Sequence, residues 1–335
     1  MTKYDMYKKI KSGTDIRGIA VETENGKLEL TDEAVYDLTV GFSLWLYENG
    51  IEKGSEIAVG HDSRISAERI KNQVVKALSD CGFNVLDCGL ASTPAMFMTT
   101  VDLDCKASVQ ITASHHPFDR NGLKFFTVKG GLDGKDIERL IELSCDYNIE
   151  KSEDVSVEET DYMTVYAKRL RDMICREVNA EDYDLPLKGY KIVVDAGNGV
   201  GGFYASEVLQ KLGADVTGSQ FLNPDGSFPN HIPNPENEAA MLSACNAVKA
   251  VKADLGIVFD TDVDRAGCVD SLGEEINRNR LIALASYIVA DKPGAVIVTD
   301  SVTSDGVTDF IEDVLSCKHF RFRRGYKNVI EKAKE

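Results

Sequence analysis

A hydroxyl and two imidazoles lie together on one short polar segment of the chain, at Ser114, His115 and His116. Apolar runs on both sides of this segment predict two strands. Pro117 and the Asn-Gly pair at residues 121–122 lie between these runs and predict a break and a turn. We therefore expect Ser114 at the exposed tip of a loop that the two strands hold in place. Such a serine can carry a phosphoryl group, although most loop serines only satisfy backbone groups in a turn.

Three carboxylates at alternate positions, Asp260, Asp262 and Asp264, directly follow an apolar run that predicts another strand. The carboxyl end of a strand is the edge at which α/β sheets place ligands. Ligation by oxygen alone favours Mg²⁺, Mn²⁺ or Ca²⁺ over zinc. The alternative is a solvated acidic turn, but uncompensated carboxylates repel one another, which favours a metal site. An EF-hand loop is excluded because Arg265 takes the position at which that loop needs glycine.

Three motifs resemble those of one enzyme family. The serine segment reads Thr-Ala-Ser-His-His-Pro at residues 112–117, the acidic cluster reads Asp-Thr-Asp-Val-Asp-Arg at 260–265, and residues 13–18 read Gly-Thr-Asp-Ile-Arg-Gly. A phosphoryl-carrying hydroxyl and a site for a hard cation together indicate phosphoryl transfer. In order and in residue type, the three motifs resemble the signatures of the α-D-phosphohexomutases, the phosphoglucomutase/phosphomannomutase superfamily. The resemblance extends over essentially all of the chain.

The resemblance implies an intramolecular phosphotransferase, an isomerase that interconverts hexose 1-phosphate and hexose 6-phosphate of glucose or mannose. Phosphorylated Ser114 would give its phosphoryl group to a hexose monophosphate. The resulting hexose 1,6-bisphosphate would reorient and return its other phosphate to the serine. One Mg²⁺ per chain would be ligated by Asp260, Asp262, Asp264 and the Ser114 phosphate, and it would neutralise charge on the group being transferred.

The resemblance also implies roles for residues outside the acidic cluster. His116 and Lys124 match family positions that help to move protons or balance charge at the serine. Arg17 matches an arginine that approaches the phosphoserine, and Arg265 matches one beside the metal; a guanidinium fits a phosphate bidentately. Arg17 and Lys124 are also expected to contact substrate. The same is expected of Tyr326, although its segment differs from the family pattern at two positions.

Other polar and glycine-rich positions receive less specific interpretations. His115 is at least as readily an exposed side chain without a special role. Asp62 and Arg64 form either a structural ion pair or contacts behind the residues that meet substrate. The glycine-rich turn at residues 196–202 has the spacing of a dinucleotide-binding turn, but no acidic residue closes the next predicted strand at 214–217. We therefore interpret its glycines as a tight turn that needs positive φ.

Composition excludes several classes of protein. The net charge of −17 over 335 residues argues against nucleic-acid and anionic-membrane partners. Eight cysteines without a Cys-x-x-Cys pair favour reduced thiols in a cytoplasmic protein over a disulfide framework. No apolar run approaches the ~20 residues that a membrane span needs. The amino-terminal residues also lack the apolar segment of a secretory signal.

The apolar pattern predicts an α/β protein of three consecutive, topologically similar α/β domains with mixed sheets. The expected boundaries give a serine-loop domain at 1–155, a metal-binding domain at 156–272 and a partial third domain, for sugar recognition, at 273–335. An acidic, apolar-poor stretch at 150–161 is the expected linker between the first two. A proline-rich stretch at 221–236 is the expected long irregular loop.

The third domain has only two predicted strands, and the family's sugar-recognition motif and phosphate-binding fourth domain are absent from these 335 residues. We therefore expect either a fragment with little mutase activity alone or a shortened relative. Two other functions stay open. One is a magnesium-dependent phosphatase of the haloacid dehalogenase type with Asp260 as nucleophile, which leaves the Ser114 loop unexplained. The other is a non-catalytic paralogue that binds metal or phosphosugar.

Overall fold

The computed structural model describes residues 2–24, 26–290 and 294–335. The chain divides into two compact units, Met1–Gly273 and Glu274–Glu335. Helices and sheets alternate in both, so the predicted α/β class is confirmed, whereas the predicted boundaries of three domains stay predictions. Within the part of the chain that the structure describes, no helix has the length and apolar character needed to cross a bilayer.

The regular elements follow the predicted alternation of strand and helix. In the described residues the α-helices are α1 (Lys3–Lys9), α2 (Asp32–Glu48), α3 (Ala67–Asp80), α4 (Thr93–Asp102), α5 (Gly134–Leu143), α6 (Tyr162–Val178), α7 (Glu238–Val251), α8 (Arg278–Val289), α9 (Asp305–Asp309) and α10 (Tyr326–Lys334). Two π-helices, Tyr204–Leu209 and Phe310–Val314, and a 3₁₀ helix, Gln210–Leu212, are also present. The strands are β1 (Lys11–Ser12), β2 (Asp15–Ile19), β3 (Glu56–His61), β4 (Asn84–Leu90), β5 (Ala107–Ile111), β6 (Arg120–Thr127), β7 (Gly130–Gly131), β8 (Val157–Glu159), β9 (Ile192–Asp195), β10 (Leu255–Phe259), β11 (Ala266–Val269), β12 (Glu275–Ile276), β13 (Val296–Asp300) and β14 (Lys318–Phe322).

The first sheet is mixed, and in the described residues its order is β1-β2-β6-β5-β3-β4-β8, with β7 beside β6. Strand β3 pairs in parallel with both β4 and β5, while β6 pairs antiparallel with β5. The chain passes from β3 through α3 to β4, and then through α4 to β5 on the other side of β3. This reversal of direction falls between β3 and β5, where an open α/β sheet places its ligand crevice. The polar loop after β3 and the serine loop after β5 therefore meet at one edge.

The Asn-Gly pair at residues 121–122 is not a turn, so this prediction was wrong. Both residues lie in β6, and the Asn121 side chain donates a hydrogen bond to Ser66 Oγ at 2.9 Å. A Cβ on Gly122 would lie 2.2 Å from the Ile16 carbonyl oxygen and 2.8 Å from that of Thr112. The glycine is therefore needed where β2 and the start of the serine loop approach β6, and the sequence pattern does not distinguish this reason from a turn.

The acidic stretch at 150–161 also contributes to the first sheet. Its residues Val157–Glu159 form β8, the edge strand, which pairs in parallel with β4. All three β8 residues are exposed, which explains why no apolar pattern marks this strand. The interpretation of the whole stretch as a linker was therefore incomplete.

Among the described residues of the unit Met1–Gly273, the second sheet has the order β11-β10-β9, with β9 and β10 parallel. The prediction of a strand at 214–217 was wrong, because this segment has only an isolated bridge at Asp215, and a second isolated bridge follows at Gln220. The Asp215 side chain accepts a hydrogen bond from Thr217 N at 2.9 Å, a local contact that competes with strand pairing. Since parallel β9 and β10 end at the same edge, the glycine-rich turn and the acidic cluster become neighbours.

The unit Glu274–Glu335 has a parallel two-stranded sheet, β13 beside β14. Its small core contains Val307, Ile311 and Cys317. The His319 ring lies 2.8 Å from Thr299 Oγ1 and 2.9 Å from Thr308 Oγ1, which ties the sheet to α9.

Candidate active site

Ser114 follows β5 and adopts a left-handed backbone conformation, with φ of 53°. Its Oγ donates a hydrogen bond to Asp260 Oδ2 at 2.9 Å. Ser114 is fully buried, so the prediction of an exposed loop tip was wrong. The loop directs the hydroxyl into the gap between the first and second sheets rather than towards solvent. A left-handed non-glycine residue stores strain, and such residues are concentrated at functional sites.

The acidic cluster converges as predicted. Asp260, Asp262 and Asp264 each offer one oxygen, and these oxygens lie within 4.8 Å of one another. Asp260 Oδ1 accepts hydrogen bonds from the backbone N–H groups of Asp264 and Arg265, both at 3.1 Å, which curls the loop around the first carboxylate. Val263 adopts a left-handed φ of 63°, a strained conformation for a β-branched residue. The loop is thus held in an unfavourable backbone geometry that brings the carboxylates together.

Asp262 supplies the observation that tests this cluster for a metal. Its Oδ2 accepts hydrogen bonds from Lys124 Nζ at 2.9 Å and from Thr93 Oγ1 at 2.5 Å. Its Oδ1 is buried and has no hydrogen-bond partner among the described residues. Buried carboxylate oxygens are normally satisfied, and a hard cation is a natural partner for one aimed into a group of carboxylates. The residues therefore fit a divalent cation.

The charges of the cluster agree with this fit. Burial and the nearby charges of Asp262 and Asp264 raise the pKa of Asp260 well above its ordinary value. Burial alone would also raise the pKa of Asp262, but Lys124 and the Thr93 hydroxyl hold that pKa below its ordinary value. A cation among these oxygens would offset the same repulsion that raises the pKa of Asp260.

Lys124 of β6 lies against the cluster. Its Nζ donates to Asp264 Oδ2 at 2.6 Å as well as to Asp262, and the residue is 7% exposed. Burial would lower the pKa of Lys124, but the two carboxylates raise it above its ordinary value. Lys124 is therefore a fixed positive charge against the acidic cluster, and its predicted role at the serine stays a prediction.

His115, rather than His116, contacts the serine hydroxyl. His115 Nδ1 lies 3.3 Å from Ser114 Oγ, and Arg265 Nη1 lies 2.9 Å from the same nitrogen. Burial and the charges of Arg265 and Arg17 lower the pKa of His115. The exposure expected for His115 is therefore corrected, since its side chain is half-buried between Ser114 and Arg265.

The His116 ring lies against the His115 ring at a tilt of 36°, with ring centroids 5.0 Å apart. Burial and the Arg17 charge lower the pKa of His116 to about 4. Its predicted part in proton movement stays a prediction.

Arg17 of β2 lies opposite Gly122 of β6 in the sheet register. Its Nη2 donates to Asp15 Oδ2 at 2.7 Å, and its Nε–H is buried without a partner in the portion of the chain that is described. An unsatisfied guanidinium N–H is suited to an anion. Tyr326 lies in the second compact unit, at the start of α10, where it is 60% exposed. Its predicted substrate contact stays a prediction.

Thr93 contacts the candidate site, and the sequence reasoning missed it. It is the first residue of α4, and its backbone N–H donates to the Asp262 carbonyl oxygen at 2.9 Å while its hydroxyl contacts the Asp262 carboxylate. The available signal was Ser92-Thr93-Pro94, a helix start that follows a predicted strand. Nothing local in that signal indicates a partner in the acidic cluster.

The glycine-rich turn at 196–202 supports the acidic cluster. The positive-φ explanation holds for Gly197, with φ of 52°, but not for Gly199 or Gly202. A Cβ on Gly199 would lie 2.6 Å from the Thr261 carbonyl oxygen, and one on Gly202 would lie 2.1 Å from that of Leu222. These two glycines are needed for close approach of backbones, which places the turn directly beneath Thr261.

Comparisons with known proteins agree with this geometry. Residues 8–151 match the family model described as phosphoglucomutase/phosphomannomutase, alpha/beta/alpha domain I, and residues 165–273 match domain II of the same family. A phosphomannomutase/phosphoglucomutase of Pseudomonas aeruginosa (strain PAO1) is 35% identical over 292 residues, which are 85% of this chain and 58% of the relative. The chain thus spans little more than half the length of that relative.

This chain covers a larger share of two further similar proteins. A phosphoglucosamine mutase of Sulfurovum sp. (strain NBC37-1) is 31% identical over 326 residues, 92% of this chain and 69% of the relative. A crystal structure of a phosphoglucomutase/phosphomannomutase family protein from Burkholderia thailandensis matches with a TM-score of 0.82 at 25% identity, covering 100% of this chain and 69% of that one.

Proposed function

We propose a function from the premise that this chain belongs to the phosphoglucomutase/phosphomannomutase family, the α-D-phosphohexomutases. Ser114 is the phosphoryl carrier of an isomerase that interconverts hexose 1-phosphate and hexose 6-phosphate through a hexose 1,6-bisphosphate. The observation that supports this most strongly is the 2.9 Å hydrogen bond from Ser114 Oγ to Asp260 Oδ2, which puts the hydroxyl against the acidic cluster. The names of the relatives suggest glucose, mannose or glucosamine as the sugar.

One Mg²⁺ is proposed for the cluster, with Asp260, Asp262, Asp264 and an oxygen of the Ser114 phosphate as its ligands. The converging oxygens and the unpartnered Asp262 Oδ1 support this set. When bound, the ion supplies neutralisation of phosphate charge and makes phosphorus a better electrophile.

The residues of the chain provide the rest of the chemistry. In the forward half-reaction the phosphoserine O–P bond breaks and an O–P bond forms to a sugar hydroxyl, whose proton ends on Ser114 Oγ. His115 has the shortest imidazole contact with that oxygen, and Lys124 and His116 are the other proposed groups for moving the proton or balancing charge. Arg17 and Arg265 are proposed to hold phosphate oxygens through their guanidinium N–H groups.

The alternative of a haloacid dehalogenase phosphatase is not favoured by these relatives. Its nucleophile would be Asp260, whose Oδ1 already accepts two backbone hydrogen bonds and whose Oδ2 accepts that of Ser114.

The reduced thiols expected from the cysteine pattern support a cytoplasmic location.

Phosphopeptide mapping tests the proposal. The chain is incubated with Mg²⁺ and glucose 1,6-bisphosphate that carries labelled phosphate, and it is then digested and its phosphopeptides are mapped. The same is done with the Ser114→Ala variant and, as a control, with Ser156→Ala, which changes an exposed position. We expect the label on Ser114 in the wild type and in Ser156→Ala, and its loss in Ser114→Ala. Transfer and full mutase turnover are expected to be slow for residues 1–335 alone. Label on Asp260 would support the phosphatase, and a folded chain without label on Ser114 would overturn the proposal.

A further inference from the structure

Arg64, in the loop after β3, is bonded to the backbone of the serine loop through both ends of its guanidinium. Nη2 donates to the carbonyl oxygens of Ser114 and His116, both at 2.6 Å. Nη1 donates to those of Pro117 at 2.6 Å and Arg120 at 2.8 Å. The side chain is fully buried. One cation thus gathers four carbonyls of a single loop, and their positions depend on where the guanidinium lies.

A second contact links Arg64 to the conformation of Ser114. Arg64 Nε donates to Asp62 Oδ2 at 3.2 Å, and the same oxygen accepts the Thr112 hydroxyl at 2.6 Å. Thr112 Oγ1 in turn accepts the N–H of Ser114 at 2.9 Å. The left-handed φ of Ser114 is therefore held from its N–H by Thr112 and from its carbonyl by Arg64. A strained residue persists when its surroundings over-determine it in this way.

The proline-rich loop at 221–236 packs against one face of the Arg64 guanidinium. The Phe228 ring lies over the guanidinium, with its centroid 5.3 Å from Arg64 Cζ. A Cβ on Gly226 would lie 2.4 Å from both Ser63 O and Ile65 N, so the backbones of the two loops are in direct contact. Phe228 closes a turn through the hydrogen bond from its N–H to Asp225 O at 3.0 Å.

The electrostatics of this contact favour an aromatic ring. Among the described residues, the Arg64 guanidinium bonds to one carboxylate, that of Asp62, and its other hydrogen-bond acceptors are neutral carbonyls. A ring face attracts a guanidinium and excludes water from it, and this attraction is stronger when the cation is desolvated. An aliphatic side chain of similar size would cover the same surface without that attraction.

We infer that Phe228 is a positioning residue for phosphoryl transfer at Ser114. Covering the guanidinium of Arg64, it fixes the four loop carbonyls and, through them, the direction of Ser114 Oγ towards Asp260. Two residues of the segment after α6 then restrain Ser114. Asp260 accepts the hydrogen bond of its hydroxyl, and Phe228 acts on its loop through Arg64. This role rests on the proposed function of Ser114, whereas the effect of Phe228 on the loop does not.

Three variants test the inference. Phe228→Leu removes the ring, and Phe228→Tyr keeps the aromatic face. Phe221→Leu is the matched control, because Phe221 is an aromatic residue of the same loop whose ring contacts His231, with centroids 5.3 Å apart, rather than Arg64.

The first readout is hydrogen exchange at the amides of residues 112–122, measured on the whole chain by mass spectrometry. We expect faster exchange of this segment in Phe228→Leu and wild-type exchange in Phe228→Tyr and Phe221→Leu. Unchanged exchange in a folded Phe228→Leu variant would overturn the inference, whatever the chain does with phosphate.

The second readout is the single-turnover transfer from glucose 1,6-bisphosphate to Ser114, followed over a range of bisphosphate concentrations. Phe228→Leu is expected to lower the rate constant about tenfold, equivalent to about 1.4 kcal/mol, with the half-saturating concentration unchanged. Phe228→Tyr is expected to restore the rate. A wild-type chain that never acquires phosphate would refute the proposed function, while the exchange experiment would still decide whether Phe228 orders the loop. An equal loss in Phe221→Leu would contradict a specific role of Phe228.

Discussion

Ser114 Oγ and Asp260 Oδ2 lie 2.9 Å apart although 146 residues separate them in the chain. Two other side chains cross the same gap to Asp262, since Lys124 Nζ and Thr93 Oγ1 both donate to its Oδ2. Each contact joins a residue in the first sheet, or in a segment beside it, to the loop after β10. The site is therefore a property of two sheets packed together, and its chemistry depends on both.

Removal of one proposed ligand charge should weaken metal binding. In Asp262→Asn the side chain keeps its shape but loses the carboxylate whose buried Oδ1 lacks a partner in the described chain. We expect the Kd for Mg²⁺, measured by calorimetry, to rise at least about tenfold. Loss of a residue that only holds a metal ligand in place already lowers metal affinity about tenfold or more, and Asp262 is proposed as a ligand itself. Glu238→Gln, at an exposed position of α7, is the control and should bind as the wild type does. Equal affinity in both variants would exclude Asp262 as a ligand.

Thr93 should matter for the orientation of Asp262. Thr93→Val keeps the shape of the side chain and removes the hydroxyl that donates to Asp262 Oδ2. We expect an increase of about tenfold in the Kd for Mg²⁺, and recovery in Thr93→Ser. The matched control is Thr100→Val, since that hydroxyl donates to Phe97 O within the same helix. If Thr100→Val weakened binding as much as Thr93→Val, the effect would belong to α4 as a whole.

The contact between His231 and Asp195 should make stability depend on pH. His231 Nε2 lies 3.0 Å from both oxygens of the buried Asp195. Burial would lower the pKa of His231, but the hydrogen bond and charge of Asp195 raise it above its ordinary value. The folded protein then binds this proton more tightly than the unfolded chain does. The resulting stabilisation is fully present below the unfolded pKa of about 6.5 and is lost as pH rises through the folded pKa.

The measurement has two parts. Proton NMR should show His231 titrating above its ordinary pKa, and Asp195→Asn should lower that value. Urea denaturation between about pH 5.5 and pH 8.5 should show a free energy of unfolding that falls with pH more steeply in the wild type than in His231→Gln. Parallel slopes for the two proteins would contradict the assignment.

Close backbone approach, rather than a nucleotide site, should explain Gly199. In Gly199→Ala the new Cβ would lie 2.6 Å from the Thr261 carbonyl oxygen, and backbone must shift to accept it. We expect a loss of about 1–3 kcal/mol in the free energy of unfolding, typical of overpacking, together with weaker Mg²⁺ binding. Gly306→Ala, whose Cβ would meet nothing closer than 4.0 Å, should be nearly neutral. Wild-type stability of Gly199→Ala would show that the turn is not pressed against the acidic cluster.

Patterns that are local in sequence predicted much of the fold. Helix α2 begins after Thr31, whose side chain accepts the N–H of Ala34, and apolar residues recur along its buried face. The carboxylates at 260–264 follow an apolar strand, so the sequence places them at a sheet edge and their convergence was predicted. In both cases the physical cause lies within a few residues, where a sequence pattern can show it.

Contacts between distant segments account for what was missed. Gly122 follows an asparagine, as the glycine of an Asn-Gly turn does. Glycine is needed there, however, because the backbone oxygens of Ile16 and Thr112 lie too close for a Cβ atom. The hydroxyl of buried Ser114 contacts Asp260, and that of Thr93 contacts Asp262. None of these partners leaves a mark on the local pattern of apolar and polar residues. The family resemblance brought the two motifs together and indicated Lys124, but it did not indicate Thr93, which also joins them.

The central claim is that the Ser114 phosphate and a divalent cation in the acidic cluster touch. The direct test replaces Mg²⁺ with Mn²⁺ in the chain phosphorylated on Ser114 and records the phosphorus hyperfine coupling by electron–nuclear double resonance. We predict a ³¹P coupling typical of a phosphate oxygen bound to Mn²⁺, with none in the unphosphorylated Ser114→Ala chain. A phosphorylated chain that binds Mn²⁺ but shows no ³¹P coupling would contradict the account.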